Sequence, residues 1–348
     1  DEKLFYLSST SRPWSPEEAQ AARKALEKAG YILALARLGA DQPHIRHQLQ
    51  VDGMLLDVRL PHLTSLKAMG DMLKAAARVE AGDGQTDRAL EDLGRVARIG
   101  QRLEKEPFLI SCLVSLALRN IACQGIDEAL EEGAQTSPGA CAKLVETLRM
   151  DKDLGHRAFL GERCMGVDAY EHLIRGRTES VLLEAEAPVY SALPFRPWLR
   201  WQEAVHLRIL GDMISRIEEP EGSPVDVEAI PRLAVLPRLL VPVLSNVRTS
   251  LLTHRSLCDT TRWALAALQY RERNGRLPVS LDEIPEAFLP DRPLDPWTGK
   301  PFVYKPDTDG SGFTVYGLGE NRKDDGGNLK TPKPPGGYDR PDIGIRWK

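Results

Sequence analysis

From about residue 15 to 220, apolar residues recur at three- and four-residue spacing, the period of helices that turn one face to a core. Ser15-Pro16-Glu17-Glu18 supplies an N-cap, a Pro at the first helical position and acids in the first turn, so the first helix opens there. Thr64 or Ser65 opens a second helix that ends near Gly82. Asp87 opens a third, whose Leu90, Leu93, Val96, Ala97, Ile99 and Leu103 form one stripe. Pro107 starts a fourth that is apolar almost all round and belongs at the centre of the layer. Ser137-Pro138 caps a fifth, predicted to run unbroken towards His172, and a sixth spans about 198–217.

The pattern then changes. Pro231, Pro237 and Pro242 interrupt an apolar run over 230–244, which predicts an extended segment packed across the helices; in an exposed form it would be a partner or membrane-surface patch flanked by Arg232 and Arg238. A long helix over about 247–273 follows and stops at Asn274-Gly275. Two short alternating strands, 302–304 and 313–316, are joined by a turn over 307–312, and the last thirty or so residues read as loop. The expected fold class is therefore mainly α: an irregular, solenoid-like body of antiparallel helix pairs over 1–245, and a small α+β module over 246–348. The stretch 76–90, with Ala81-Gly82-Asp83-Gly84 at its turn, resembles a tetratricopeptide helix pair, but no 34-residue period continues. Stacked helix pairs of this kind offer concave surfaces to protein partners.

The C-terminal order Asn274-Gly275-Arg276-Leu277-Pro278, Leu294-Asp295-Pro296-Trp297-Thr298-Gly299, Phe313-Thr314-Val315-Tyr316-Gly317-Leu318-Gly319 and Asp342-Ile343, closing on Trp347, resembles the C-terminal half of the major pseudopilin of type II secretion systems. The resemblance covers about 100 of the 348 residues. It implies a small sheet and a calcium loop, with the Leu318 carbonyl and Asp342 at matching positions, Asn321 where the family has Asp, and Asp324 and Asp325 as further oxygen donors. Asn321 removes a charge, Lys330-Thr331-Pro332-Lys333-Pro334-Pro335 lengthens the loop, and residues 320–348 hold five acids against seven bases. A metal-free Gly/Pro turn held by hydrogen bonds is the alternative for the same residues. The family's polymerising N-terminal helix is absent here, so a pilus-forming role is not expected. The whole layout also resembles a group of envelope proteins of planctomycete-type bacteria without assigned activity, which implies architecture and an extracytoplasmic location.

Composition narrows the field. With 46 Lys+Arg against 50 Asp+Glu, the net charge of −4 offers no basic excess for nucleic acid. No run of about 18 apolar residues is present, so no membrane span is expected in this chain. The chain opens DEKLFYLSST without an initiator Met, which is compatible with a removed leader or anchor. Cys112, Cys123, Cys141, Cys164 and Cys258 form no CxxC motif and read as small buried hydrophobes; Cys112 and Cys123 lie three turns apart on one helix and cannot pair with each other.

No GxSxG, HExxH, Walker A or post-strand GxGxxG motif occurs. The remaining chemistry is sparse. Asp153-x-x-His156 and Glu203-x-x-His206 each place a carboxylate and an imidazole on one helix face, the spacing of helical-bundle metal sites, although satisfied core histidines explain both pairs more simply. His44 and His47 read as a loop pair with only Asp41 near, and Glu162-Arg163 as a buried ionic link. Tyr190, Phe195, Trp198 and Trp201, with Arg196 and Arg200, have the composition of an interface hot spot or of a hydrophobic lid. The expected function is a non-enzymatic envelope or secreted scaffold, or an accessory subunit that binds a protein partner. The alternative is a metal-dependent helical enzyme.

Overall fold

The computed structural model describes residues 14–44, 47, 49, 51, 53–131, 136–176, 193–217, 219, 226–307, 311–329 and 342–347. Within them the chain is mainly α, with a small antiparallel sheet at its C-terminal end, as the periodicity predicts. The helices are α1 (Pro16–Lys28), α2 (Gly30–Asp41), α3 (His62–Gly82), α4 (Thr86–Leu103), α5 (Leu109–Glu131), α6 (Pro138–Thr147), α7 (Leu154–Arg175), α8 (Arg196–Arg216) and α9 (Val235–Asn274). Ser15 caps α1 in a capping box with Glu18, as its sequence requires. The turn between α3 and α4 passes through Gly84 at φ +75°, and the stripe Leu90, Leu93, Val96, Ala97, Ile99 and Leu103 is buried on α4.

Helix α5 sits in the middle of the layer, packed on α3, α4, α7 and α9. It buries Cys112, Leu116, Leu118, Ala122, Cys123 and Ile126. By length and hydropathy alone, both α5 (1.6 over Leu109–Leu130) and α9 (1.2) are long and apolar enough to cross a membrane, which the sequence reading did not expect. A fully buried arginine, Arg119, lies within that α5 stretch.

The unbroken fifth helix is a misreading of one segment as continuous: α6 ends at Thr147, and α7 begins at Leu154. The reason is not local. The last carbonyls of a helix have no partner within it and carry its negative end. Here two buried guanidinium groups take them. Arg119, from α5, donates to the carbonyls of Thr147 (3.2 Å), Leu148 (3.0 Å) and Arg149 (3.2 Å). Arg262, from α9, donates to the carbonyl of Val145 (2.8 Å). Glu104 balances Arg119 through two ion-pair contacts of 2.6 and 2.5 Å, and its other oxygen accepts the Asp151 amide at 3.0 Å. Asp259 and Asp291 balance Arg262 at 2.9 and 2.6 Å. Helix α7 then returns close to the α4–α5 turn, where a Cβ on Gly161 would overlap the Pro107 carbonyl.

The proline-rich run also departs from expectation. Val235 to Leu244 is the start of α9 rather than an extended segment. Pro237 falls in the first turn, where no intrahelical N–H is needed, and Pro242 removes a single bond that burial of Val241 and Leu244 offsets. The expected division at residue 246 therefore lies inside α9. One hydrophobic cluster takes Leu93, Ile99 and Phe159 from the body together with Phe313, Ile345 and Trp347 from the C-terminal sheet.

The sheet has the order β1 (Val303–Pro306), β2 (Phe313–Gly317), β3 (Ile343–Trp347), all antiparallel, with Val303 opposite Tyr316 and Val315 opposite Ile345. β3 was not expected, because its five residues follow a long Gly/Pro-rich segment and pair only with a distant strand. Asp295 explains the preceding Asp-Pro-Trp-Thr-Gly motif. Its buried carboxylate accepts from the amides of Trp297 (3.1 Å) and Leu318 (3.2 Å) and from the Thr298 hydroxyl (2.9 Å), clamping that turn to the end of β2. Four cysteines are buried, with Cys123 and Cys258 Sγ atoms 3.8 Å apart across α5 and α9, whereas Cys164 is exposed, contrary to the reading of all five as core.

Removing one partner of a fully buried ion pair leaves the other charge without compensation, so Arg119→Ala is expected to destabilise the fold by about 3–5 kcal/mol. Denaturant unfolding followed by circular dichroism measures this; a change below about 1 kcal/mol would remove Arg119 from its central role.

Candidate functional site

A cleft of about 720 Å³ opens where α8, the segment 226–231, the first half of α9 and the C-terminal module meet. This volume falls in the range of small-molecule and peptide-segment sites, about 300–1,000 Å³. Its apolar lining comes from Phe159, Val205, Ile209, Met213, Ile217 and Ile230, with Arg208, Asp212 and Arg216 between them on α8. It also carries Ser245, Arg248, Trp297 and Glu320. Each of these four has a buried polar side-chain atom without a hydrogen-bond partner among the described residues: Ser245 Oγ, Arg248 Nε, Trp297 Nε1 and Glu320 Oε2. Buried polar atoms are normally satisfied; among the described residues, four of the exceptions belong to residues of this one cleft, although the atoms themselves are covered. Burial and the neighbouring Arg322 push Arg248 below the ordinary arginine value.

Leu233, just before α9, and Val235, Leu239 and Leu240 in its first two turns are exposed, Leu239 at 69%. The same helix is pinned to α8 by the Leu236 amide, which donates to Gln202 Oε1 at 3.0 Å. Of the expected hot-spot aromatics, Phe195 and Trp201 are exposed at the start of α8, and Trp198 is half-buried against Leu173, Ile174, Leu199 and Leu236. Tyr190 lies outside the described residues. Trp198 thus shares one small apolar cluster with Leu236 of α9, and the sequence signal that marks the exposed leucines is the proline-broken run, whose backbone is helical rather than extended.

The candidate metal set Asp153, His156, Glu203 and His206 is not brought together. α7 and α8 run antiparallel, with Gly155 against Ile217, Gly166 against His206, and Leu173 against Leu199. His206 packs over Gly166, where an added Cβ would sit 3.0 Å from Nε2, and beside the Tyr170 ring, with centroids 5.9 Å apart. His156 is ten residues nearer the start of α7, roughly 15 Å along the helix. It is exposed, as is Asp153, next to Ile214 and Ser215. One ion cannot span both pairs. Glu203 is instead paired with Arg200 at 2.8 Å, and burial holds His206 below its ordinary value. The expected Glu162-Arg163 link is not formed either: Arg163 is exposed, and burial alone raises Glu162.

The C-terminal loop does gather its candidate residues, through hydrogen bonds. Asp342 accepts from the amides of Gly327 (2.8 Å) and Asp325 (3.4 Å). Asp324 accepts from the Gly326 amide and the Tyr316 hydroxyl, both at 2.8 Å. Asn321 donates to Asp325 at 2.8 Å, while its own oxygen accepts the Lys323 amide at 3.0 Å. Leu318 donates its amide to Asp295. The carboxylate oxygens of Asp324, Asp325 and Asp342 do not all approach within 4.8 Å of one another, and the Lys305 ammonium stands 3.9 Å from Asp324. This is the geometry of a hydrogen-bonded turn and not yet of an oxygen cage.

A different constellation escaped the sequence reading. His47 stacks on His62, with centroids 3.8 Å apart and rings 7° from parallel, so it is not part of a simple loop pair with exposed His44. His62 Nε2 lies 3.0 Å from Glu106 Oε1. No sequence spacing signals this, because the three residues come from a connector, the start of α3 and the α4–α5 turn. The fold and its surface thus define an irregular α-helical protein closed by a small sheet, with a partly unsatisfied cleft at the junction. The chain matches no protein family, no curated protein and no solved structure.

Because the His206 value is lowered in the fold, the unfolded chain takes up the proton first. Stability is therefore expected to fall as pH drops below about 6.5, and His206→Gln to lose that part of the slope. Melting temperatures of both proteins at pH 7.5 and 5.5 measure it; parallel slopes would count against a buried neutral imidazole.

Proposed function

We propose that this protein is a non-enzymatic scaffold or accessory subunit of an extracytoplasmic assembly, which takes a segment of a protein partner along the α8–α9 surface and into the adjoining cleft. One observation carries the reading: the stretch that opens α9 exposes Leu233, Val235, Leu239 and Leu240, and the next turns of the same helix bring Ser245 and Arg248, with orphaned polar atoms, to the cleft that Trp297 and Glu320 also line. A polypeptide complements both halves. Its apolar side chains cover the leucines, exposed Trp201 and Phe195 add the aromatic anchors common at interfaces, and, once the cleft wall opens to uncover them, Trp297 and Arg248 donate to its carbonyls and Glu320 accepts from its amides. The metal-enzyme alternative loses support with the separation of its four residues.

The pseudopilin-like reading of the C-terminal module belongs to the same proposal and is supported by the order of helix, Asp-Pro-Trp turn and three-stranded sheet. It assigns calcium to the loop of Leu318, Asn321, Asp324, Asp325 and Asp342. The ion would have to take over oxygens that now accept amides.

Two measurements test this. Leu239→Glu and Trp297→Phe should each weaken capture of a stoichiometric partner from native-host envelope extract at least about ten-fold at unchanged melting temperature, as expected when a central anchor is lost. Equal capture by both variants, or no stoichiometric partner of the wild type, would overturn the partner surface. In a calcium titration, the loop reading expects a saturable rise in melting temperature that Asp342→Asn abolishes. A flat titration removes calcium and leaves the partner surface standing.

A further inference from the structure

Among the described residues, nitrogen and oxygen donors of metal-ligating type converge at one place, beside the α4–α5 turn and outside the lining of the cleft. His47, His62 and Glu106 each bring one donor atom there, and the three lie within 4.8 Å of one another. His62 is the first residue of α3, and its side chain is only 8% exposed. Glu106 is in the short turn between α4 and α5, and its second oxygen accepts the Ser111 hydroxyl at 2.5 Å. His47 comes from the connector between α2 and α3.

One feature of this cluster is not explained by ordinary packing: His47 Nε2 is buried and has no hydrogen-bond partner among the described residues. A buried imidazole nitrogen without a partner is destabilising unless something else binds it. The two rings are nearly parallel with centroids 3.8 Å apart, so their in-plane lone pairs do not converge until one ring turns. A cation that takes the His47 lone pair supplies the missing partner.

We propose that His47, His62 and Glu106 form a binding site for one divalent ion of the zinc class. Two imidazoles and a carboxylate, without thiolate, are a zinc ligand set that leaves the fourth tetrahedral position to water or to an incoming donor. Tetrahedral bonds of about 2.0–2.1 Å place donor atoms roughly 3.3 Å apart. His62 and Glu106 already stand at 3.0 Å, so the ion asks His47, whose donor lies within 4.8 Å of both, to close in and turn its ring out of the parallel stack; His47 is on a connector and not on a helix. Ser111 supplies the outer hydrogen bond that orients the ligating carboxylate, the usual support of such sites. Bound there, the ion ties the α2–α3 connector to the start of α3 and to the α4–α5 turn. No reaction is attached to it.

The test uses the full chain without a polyhistidine tag. After chelator treatment and dialysis, titration with Zn²⁺ should saturate at one ion per chain and raise the melting temperature. Co²⁺ in its place should give the intense visible absorption of a tetrahedral site. His47→Ala, on the connector, and Glu106→Gln should each weaken Zn²⁺ at least ten-fold, and both should remove the tetrahedral Co²⁺ spectrum. His62→Ala serves as a third variant, read only if its circular dichroism matches the wild type. Absence of stoichiometric binding at 100 μM Zn²⁺, or affinity unchanged in His47→Ala and Glu106→Gln, would overturn the site.

Discussion

The structure depends on how the C-terminal end of α6 is held. That ten-residue helix ends with Leu144, Val145 and Leu148 buried, and its last carbonyls have no further turn of helix to bond. Two arginines resolve this from opposite sides: Arg119 reaches from α5 and Arg262 from α9, and both are almost completely buried. Each charge must then be balanced in a medium that tolerates no lone ion, which brings in Glu104 from the end of α4, Asp259 from α9 itself and Asp291 from the loop beyond. The result is a connected polar network that registers α4, α5, α6 and α9 against one another. Even beside Arg262, burial pushes the Asp259 carboxyl up to about 6, a measure of how dry this network is.

Helix α9 transmits that registration to the rest of the molecule. Its forty residues start on α8, cross the helical body and end under the sheet, where Trp263 donates to the Pro293 carbonyl and Arg271 lies over the Trp347 ring. A body and a tail that the residue pattern separates at 246 consequently share one helix and one hydrophobic cluster. The cleft opens along the same helix, where the body and the sheet module meet without filling the space between them. Its lining joins residues of α8 and α9 to Trp297 and Glu320 of the C-terminal module.

The candidate sites were legible to very different degrees. Trp198, Trp201 and Phe195 stand out because aromatic and arginine residues cluster within one short stretch; Phe195 and Trp201 are exposed, and Trp198 packs in the cluster that holds Leu236. The α9 leucines were seen as a segment but given the wrong backbone, because three prolines in twelve residues weigh against a helix unless two of them fall where an amide bond is dispensable or its loss is offset. Asp153, His156, Glu203 and His206 illustrate the opposite failure. Each pair has helical spacing, but the offset between two antiparallel helices is set by packing, here by Gly166 lying beneath His206. His47, His62 and Glu106 carry no spacing at all.

What the amino-acid sequence determined by itself is local: the caps at Ser15 and Ser137, the stripe of α4, the apolar centre of α5, the Gly275 stop and the first two strands. Each follows from propensity, periodicity or turn chemistry within a few residues. Only the tertiary structure decided where α6 stops, that α9 runs through Pro242, that residues 343–347 form a third strand, and which histidines meet a carboxylate. Those outcomes rest on partners tens to hundreds of residues away, and the burial that enforces them exists only once the chain has closed on itself.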